Sequence, residues 1–211
     1  MPLYFQQEVS PNTRMAVWKI EEEESFFLKD MDIPIPVAHP VKRLQHLAGR
    51  YLLPFLFPDF KVAQIAIADS RKPFLLSHAY HFSISHSDNY AAAIVSSKMH
   101  VGIDVETITE RVLKVQHKFL REDELIPLVN LSKQELINQL TVLWSAKEAM
   151  YKWWGKGEVD FKAHLQTAYF QQQQEGIINA VFSKQAIQYP LELNYKLADG
   201  LSIVWLESEF N

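Results

Sequence analysis

Two runs constrain this chain most when taken together. A strand-like one, Val101-Gly102-Ile103-Asp104-Val105-Glu106, is followed roughly forty residues later by a helical one, Trp144-Ser145-Ala146-Lys147-Glu148-Ala149-Met150-Tyr151-Lys152. On a strand, residues two apart leave from the same face. Asp104 and Glu106 therefore point together, and Ile103 and Val105 point the other way. Gly102 lets a neighbouring backbone come close. On the helix, Glu148 and Lys152 stand four apart on one side, with Trp144 a turn before them. Read singly, each run is ordinary. An Asp-x-Glu pair is most often a solvated strand end, and a Glu–Lys helix pair contributes about 0.3–0.5 kcal/mol.

Together they carry more. Three carboxylates converging without a cation would repel and raise one another's pKa. A hard divalent ion removes that problem, and magnesium takes oxygen ligands while keeping places for water and substrate phosphates. A lysine one turn beyond the third carboxylate suits a phosphate-bearing substrate, because it neutralises charge that develops on a departing phosphate.

Bulk properties narrow the classes. The chain has 211 residues, of which 48% are hydrophobic. That suits one domain of roughly 200 residues, or two small ones sharing a core. A net charge of −4 disfavours nucleic-acid binding, which needs a concentrated positive footprint. Cysteine is absent, so disulfides, zinc–thiolate sites and cysteine nucleophiles are excluded. The stretch Met1 to Glu8 has no basic flank or long apolar core, unlike a signal peptide. No apolar run approaches the roughly 18 residues of a membrane helix. A soluble cytoplasmic protein without a membrane partner is expected.

The order of elements predicts an α+β fold. A strand at Met15–Ile20 precedes a short acidic-start helix over Glu21–Lys29. Pro34, Pro36 and Pro40 mark a break. Helical spacing of Leu44, Leu47, Tyr51, Leu52 and Phe55 predicts a helix from Val41 to Phe57. Strands are expected at Val62–Ala68, Tyr80–Ser85, Tyr90–Ser96 and His100–Glu106, with Arg71-Lys72-Pro73 as a turn. Helices follow at Leu113–Phe119, Glu122–Val129 and Lys133–Trp154, the last ended by Gly155 and Gly157. The tail reads as antiparallel strands at Phe161–Phe170, Gly176–Phe182, Leu191–Leu197 and Leu201–Leu206, with Gln171–Gln174 in a hairpin loop. Strand, helices, strands thus occurs twice. Two similar α+β halves are expected, each an antiparallel sheet packed with helices, divided near Lys98 into residues 1–98 and 99–211.

The two opening runs are similar to the paired signature motifs of the 4′-phosphopantetheinyl transferases, and their separation also fits. Further ordered segments resemble that family: Gly49-Arg50-Tyr51-Leu52-Leu53, Arg71-Lys72-Pro73, His81-Phe82-Ser83-Ile84-Ser85-His86-Ser87 and Phe119-Leu120-Arg121-Glu122-Asp123-Glu124. The match runs from about Val41 to Lys156, and the length favours the longer, pseudo-dimeric surfactin-type branch. The resemblance implies transfer of the phosphopantetheine arm of coenzyme A to a serine of an apo acyl or peptidyl carrier protein, with adenosine 3′,5′-bisphosphate as the other product. It implies a pseudo-twofold arrangement with the active-site cleft between the halves, coenzyme contacts in the first half, and the metal site and carrier docking in the second. A chain of two halves is expected to be a monomer.

The resemblance also implies roles. Asp104, Glu106 and Glu148 look like magnesium ligands. Either Glu148 or a metal-bound water takes the serine proton, and Lys152 steadies the leaving phosphate. Ser85 and His86 look like contacts to the coenzyme's 3′-phosphate, with Lys72 and Arg50 as further phosphate partners and Arg43 a weaker one. Lys147 is expected to face outward or to be paired. Lys114, His117, Lys118 and Arg121, with apolar help from Val112, Leu113 and Val115, are candidates for docking an acidic carrier. Trp153 and Trp154 are read as core. The chain departs from the family pattern at Arg71 and at Asp88-Asn89, where glycine is usual, and altered turns are expected there. Two other readings share the residues: a noncatalytic carrier-binding module, and a magnesium-dependent nucleotide pyrophosphohydrolase.

Overall fold

The computed structural model describes residues 2–29 and 37–210. Pro34 and Pro36 lie outside them. Strands β1 (Leu3–Ser10) and β2 (Thr13–Lys19) form a hairpin, and helices α1 (Glu24–Leu28) and α2 (Pro40–Leu56) follow. A short 3-10 turn leads into a small ribbon of β3 (Ile65–Ile67) and β4 (Pro73–Leu75), then come β5 (His81–Ser87) and β6 (Tyr90–Ser96). The second half holds β7 (His100–Thr107), α3 (Arg111–Phe119), α4 (Glu122–Leu125), α5 (Lys133–Trp154), β8 (Leu165–Thr167), β9 (Glu175–Lys184), β10 (Ile187–Ala198) and β11 (Leu201–Ser208). Among the described residues no helix is long and apolar enough to cross a membrane.

The expected α+β plan is present as two antiparallel sheets, ordered β1-β2-β6-β5 and β7-β11-β10-β9-β8. Side-chain alternation sets the layers. Ala16, Trp18, Ala93 and Val95 turn one face of the first sheet to Leu47, Ala48, Leu52 and Leu53 of α2. Val204, Leu206, Leu193 and Ile178 turn one face of the second to Val142, Ala146, Ala149 and Met150 of α5. The remaining faces pack on each other: Met15, Val17, Ala92 and Ile94 meet Val101, Ile103, Val105 and Trp205. The order is helix, sheet, sheet, helix, and the halves share a core made only of strand residues.

Helix α5 has the bounds the sequence predicts. Ser132 and Glu135 form a capping box at its start, and Gly155 closes it in the left-handed conformation, φ 64°. Other elements differ. Strand β1 was not foreseen, and Phe161–Phe170 contributes only three strand residues. Val62–Ala68 divides into a 3-10 turn and a short strand. Pro54 sits inside the last turn of α2 rather than ending it early. Trp153 and Trp154 are core, packed on Phe182 and Phe210. Lys147 is not outward-facing: it is fully buried, and its ammonium donates to Glu124 Oε2 (2.7 Å) and to the carbonyls of Phe119 and Phe161. Burial lowers its pKa. Glu124 spends its other oxygen on the N–H and hydroxyl of Thr167, so this buried charge pair is hydrogen-bonded throughout.

Candidate active site

The edge strands β5 and β7 run side by side, joined by hydroxyls. Every second residue of β5 from Ser83 is a serine, and each reaches across. Ser83 Oγ accepts from the N–H of Ile103 (3.2 Å). Ser85 Oγ donates to Asp104 Oδ1 (2.8 Å). Ser87 Oγ donates to Glu106 Oε2 (3.0 Å) and accepts from the N–H of Thr107 (3.2 Å). The period-two spacing of these serines matches the strand period, and this signal was in the sequence although only Ser85 was singled out.

Helix α5 reaches the same place because Gly102 has no side chain. A Cβ there would stand 2.0 Å from the carbonyl oxygen of Ala149, so the close approach read from the sequence is real. With Ala149 on Gly102, the residues either side of it on the helix fall beside Asp104. Lys152 Nζ donates to Asp104 Oδ1 (2.6 Å) and to Ser85 Oγ (2.8 Å). Asp104 is 2% exposed, and its Oδ2 is buried without a hydrogen-bond partner. Trp144 Nε1 donates to Glu106 Oε1 (3.2 Å). Trp144 is a site residue not foreseen from the sequence, although it lies one turn before Glu148 on the same helix side.

The acids feel one another. Burial, then the charges of Asp104 and Glu106, raise the Glu148 pKa from 4.5 to about 7, against a smaller opposing pull from Lys152. Burial and Asp104 also raise that of Glu106. Asp104, Glu106, Glu148, Lys152 and Ser85 thus share one neighbourhood. Among the described residues, however, no three Asp, Glu or His side chains are arranged to grip a single ion. Hard oxygen donors around the unpartnered Asp104 Oδ2 suit magnesium in kind, and Lys152 supplies the counter-charge in the arrangement seen.

The other predicted residues stand elsewhere. His86 is Ser85's strand neighbour and leaves β5 on the opposite side. Its ring lies 5.4 Å from that of His46, whose Nδ1 is 3.3 Å from Arg50 Nη1. Desolvation lowers the pKa of all three, reinforced at His86 by His46 and Lys152 and at His46 by Arg50. Lys72 reaches the end of α5, where Nζ donates to the carbonyl of Trp153 (3.3 Å); burial lowers its pKa to about 8. At the two departures Arg71 and Asp88 both adopt left-handed backbone, φ 65° and 46°.

Two cavities flank the Ser85–Asp104–Lys152 knot. One of ≈ 240 Å³ is lined by Ser70, Lys72, Ser83, Ile84, Tyr151 and Lys152. The other, of ≈ 220 Å³, is lined by Ser87, Glu106, Arg111, Val115, Thr141 and Trp144. Beside the second, Lys114, His117 and Lys118 are exposed on α3, whereas Arg121 is paired with Asp123 and Val112 is buried. Val112 packs into the core and also lines the second cavity.

Residues 100–203 match the family model of the 4′-phosphopantetheinyl transferase superfamily. The matched segment holds Asp104, Glu106, Glu148 and Lys152. Among curated proteins, the chain is similar to 4′-phosphopantetheinyl transferase gsp of Aneurinibacillus migulanus, 37% identical over 86 residues, which is 41% of this chain and 35% of that protein. It is similar to psf-1 of Bacillus pumilus, 34% identical over 79 residues, 37% of this chain and 34% of that protein. To Sfp of Bacillus subtilis strain 168 it is 34% identical over 77 residues, 36% of this chain and 34% of that protein. Each alignment spans about a third of the relative's length.

Proposed function

We propose that the chain is a member of the 4′-phosphopantetheinyl transferase superfamily and that it moves the phosphopantetheine arm of coenzyme A to a serine hydroxyl of an apo acyl or peptidyl carrier protein, leaving adenosine 3′,5′-bisphosphate. One observation carries the reading. Lys152 bonds at once to Ser85 of β5 and Asp104 of β7, so a cation and an acid pair meet where the halves join, between two cavities.

In this reading, residues 1–98 supply coenzyme contacts and residues 99–211 the acids and the carrier face. Arg50, flanked by the imidazoles of His46 and His86, forms a cationic wall for the 3′-phosphate. Lys72 and Ser85 attend the pyrophosphate. Asp104, Glu106 and Glu148 would hold magnesium, which would supply Lewis-acid polarisation of the phosphorus under attack. The serine oxygen forms a bond to the pantetheine-bearing phosphorus as the bond from that phosphorus to the adenosine-side oxygen breaks. Glu148, or a water beside it, takes the hydroxyl proton. Lys152 moves its charge toward the departing phosphate. Exposed Lys114, His117 and Lys118 meet an acidic carrier. We place the protein in the cytoplasm as a monomer.

The test is mass spectrometry of an apo carrier incubated with the chain, coenzyme A and magnesium. The carrier gains one phosphopantetheine, and Glu148→Gln abolishes the gain while coenzyme binding persists. No gain with any of several fatty-acid, polyketide and peptide-synthetase carriers overturns the proposal.

A further inference from the structure

Behind Lys72, on the side away from Lys152, lies a third cavity, of ≈ 250 Å³, between the start of β5, the start of β7 and the end of α5. Five groups that carry or can carry positive charge line it: Lys72, Lys156, His78, His81 and His100. No acid lines it. Among the described residues, the one carboxylate bonded to a lining side chain is Asp59, which takes the hydroxyl of Tyr80.

The walls are flat. The rings of His81 and His100 lie 4.1 Å apart, and Phe210 stands edge-on to His100 at 4.2 Å. Phe74 and His78 stack at 6.0 Å. Lys156 holds its ammonium over the rings of Trp154 and Phe210, 4.6 and 4.9 Å from their centroids. Such a chamber offers π-faces to a ring and fixed positive charge to an oxyanion. Its size admits one or two rings with a single charged group and is too small for a nucleotide, since full ligand pockets run to about 300–1,000 Å³. A metal is the poorer occupant, because no three imidazoles among the described residues are placed to share one.

We propose that this cavity is a binding site for a small planar aromatic anion, its ring against the cavity-facing side of the His81–His100 pair and its oxyanion between Lys72 and Lys156. The uncompensated charge agrees. Burial, His81 and the two lysines push the His100 pKa down to about 4, and burial and Lys72 lower that of His81. An anion seated among them reverses that pressure. The site needs neither coenzyme nor metal; it shares Lys72 with the transferase reading, and the variants at Lys156 and His81 test it apart from that reading.

The probe is phenyl phosphate, titrated into the full chain while the histidine ring signals are followed by NMR. Saturable binding is expected with Kd at or below about 1 mM, with the His81 and His100 signals moving and their pKa values rising. Cyclohexyl phosphate and inorganic phosphate should bind at least about tenfold more weakly, since neither offers a π-face. Lys156→Gln, at an exposed residue, and His81→Gln should each weaken phenyl phosphate by about fivefold or more. Any of four results overturns the proposal: no saturation by about 10 mM, inorganic phosphate binding as tightly, both variants binding like the parent, or movement confined to His46 and His86, which places the probe beside Arg50 instead.

Discussion

In the N-terminal half α2 crosses β5 at Gly49, where a Cβ would stand 2.6 Å from Cγ2 of Ile84. In the C-terminal half α5 crosses β7 at Gly102, where a Cβ would stand 2.0 Å from a backbone carbonyl oxygen. One half puts the glycine on the helix and the other puts it on the strand, but both use it to press a helix onto an edge strand. The polar residues brought in by these crossings differ in sign. The α2 crossing gathers His46, Arg50 and His86, and the α5 crossing gathers Asp104, Glu106 and Glu148 around Lys152. A shared architecture thus yields one wall whose fixed charge is that of Arg50 and another of acids gathered around Lys152.

The largest expected effects test that division of labour. Asp104→Asn and Glu148→Gln should each lower kcat on the order of 10²–10⁴-fold, with little change in coenzyme affinity. Arg50→Ala and His86→Ala should act on KM for coenzyme A, by about 10–100-fold, because phosphate contacts far from the reacting atoms bind ground and transition states alike. Steady-state kinetics with saturating carrier separates the two. If the cationic-wall variants lose kcat with KM unchanged, the walls do not differ in the way their charges imply.

The crossings themselves differ next. At Gly102 the obstacle is backbone, which cannot turn aside, so Gly102→Ala should cost about 3 kcal/mol or more, at the upper end of overpacking penalties. At Gly49 the obstacle is Cγ2 of Ile84, a methyl carried directly on Cβ of a β-branched side chain and so moved only through χ1, while alanine regains about 1 kcal/mol of helix propensity. Gly49→Ala should therefore cost about 1–2 kcal/mol, less than Gly102→Ala. Urea unfolding of the two variants measures the difference, and equal losses would show that Ile84 is as immovable as the α5 backbone.

Most of the acidic wall was legible in the sequence, because it obeys local periods. Asp104 and Glu106 share a face against Ile103 and Val105, and Glu148 and Lys152 share a helix side. Helix α5 is bounded by residues whose capping chemistry is local. What was not legible depends on distant partners. Lys147 looks like a surface lysine until Glu124, 23 residues away, joins it in the core. Ser85 and His86 look like one contact pair, yet strand alternation sends them to opposite walls. Strand β1 shows no alternation because, as an edge strand, it exposes its middle residues. Arg121 has the composition of a docking residue but is held by Asp123.

The two walls should also answer pH in opposite directions. Glu148 has its folded pKa raised, so between 4.5 and about 7 the folded chain keeps a proton that the unfolded chain has released. Its contribution is complete below 4.5 and is lost as pH rises through about 7, by at most about 3 kcal/mol. His46 and His86 have folded pKa values lowered from 6.5. Their contribution is present above 6.5 and is lost as pH falls through the lower folded values. In chelator, Glu148→Gln should flatten the decline between pH 4.5 and 7 and leave the acid-side decline alone, while His86→Gln should soften only the latter. Denaturant midpoints across pH 4 to 8 check both; a Glu148→Gln profile parallel to the parent would mean that the acids are not coupled as described.

The smallest expected effect concerns turns. Each half places three non-glycine residues in left-handed backbone, Arg71, His78 and Asp88 in the N-terminal half and Glu158, Gln185 and Asp199 in the C-terminal half, but all three left-handed glycines among the described residues, Gly155, Gly157 and Gly200, lie in the C-terminal half. A non-glycine residue there costs about 1–2 kcal/mol, partly offset because glycine loses more freedom on folding. Arg71→Gly should therefore raise stability by only about 0.5 kcal/mol, and Asp88→Gly by less, since aspartate tolerates the conformation. Gly155→Ala is the counter-case: φ is 64°, and the added Cβ would stand 2.1 Å from Cδ of Lys72, so it should destabilise and displace Lys72 together. Thermal unfolding of the three variants ranks them. A loss above about 1 kcal/mol for Arg71→Gly would mean that the exposed Arg71 side chain, and not only its backbone, holds the turn that aims Lys72 at α5.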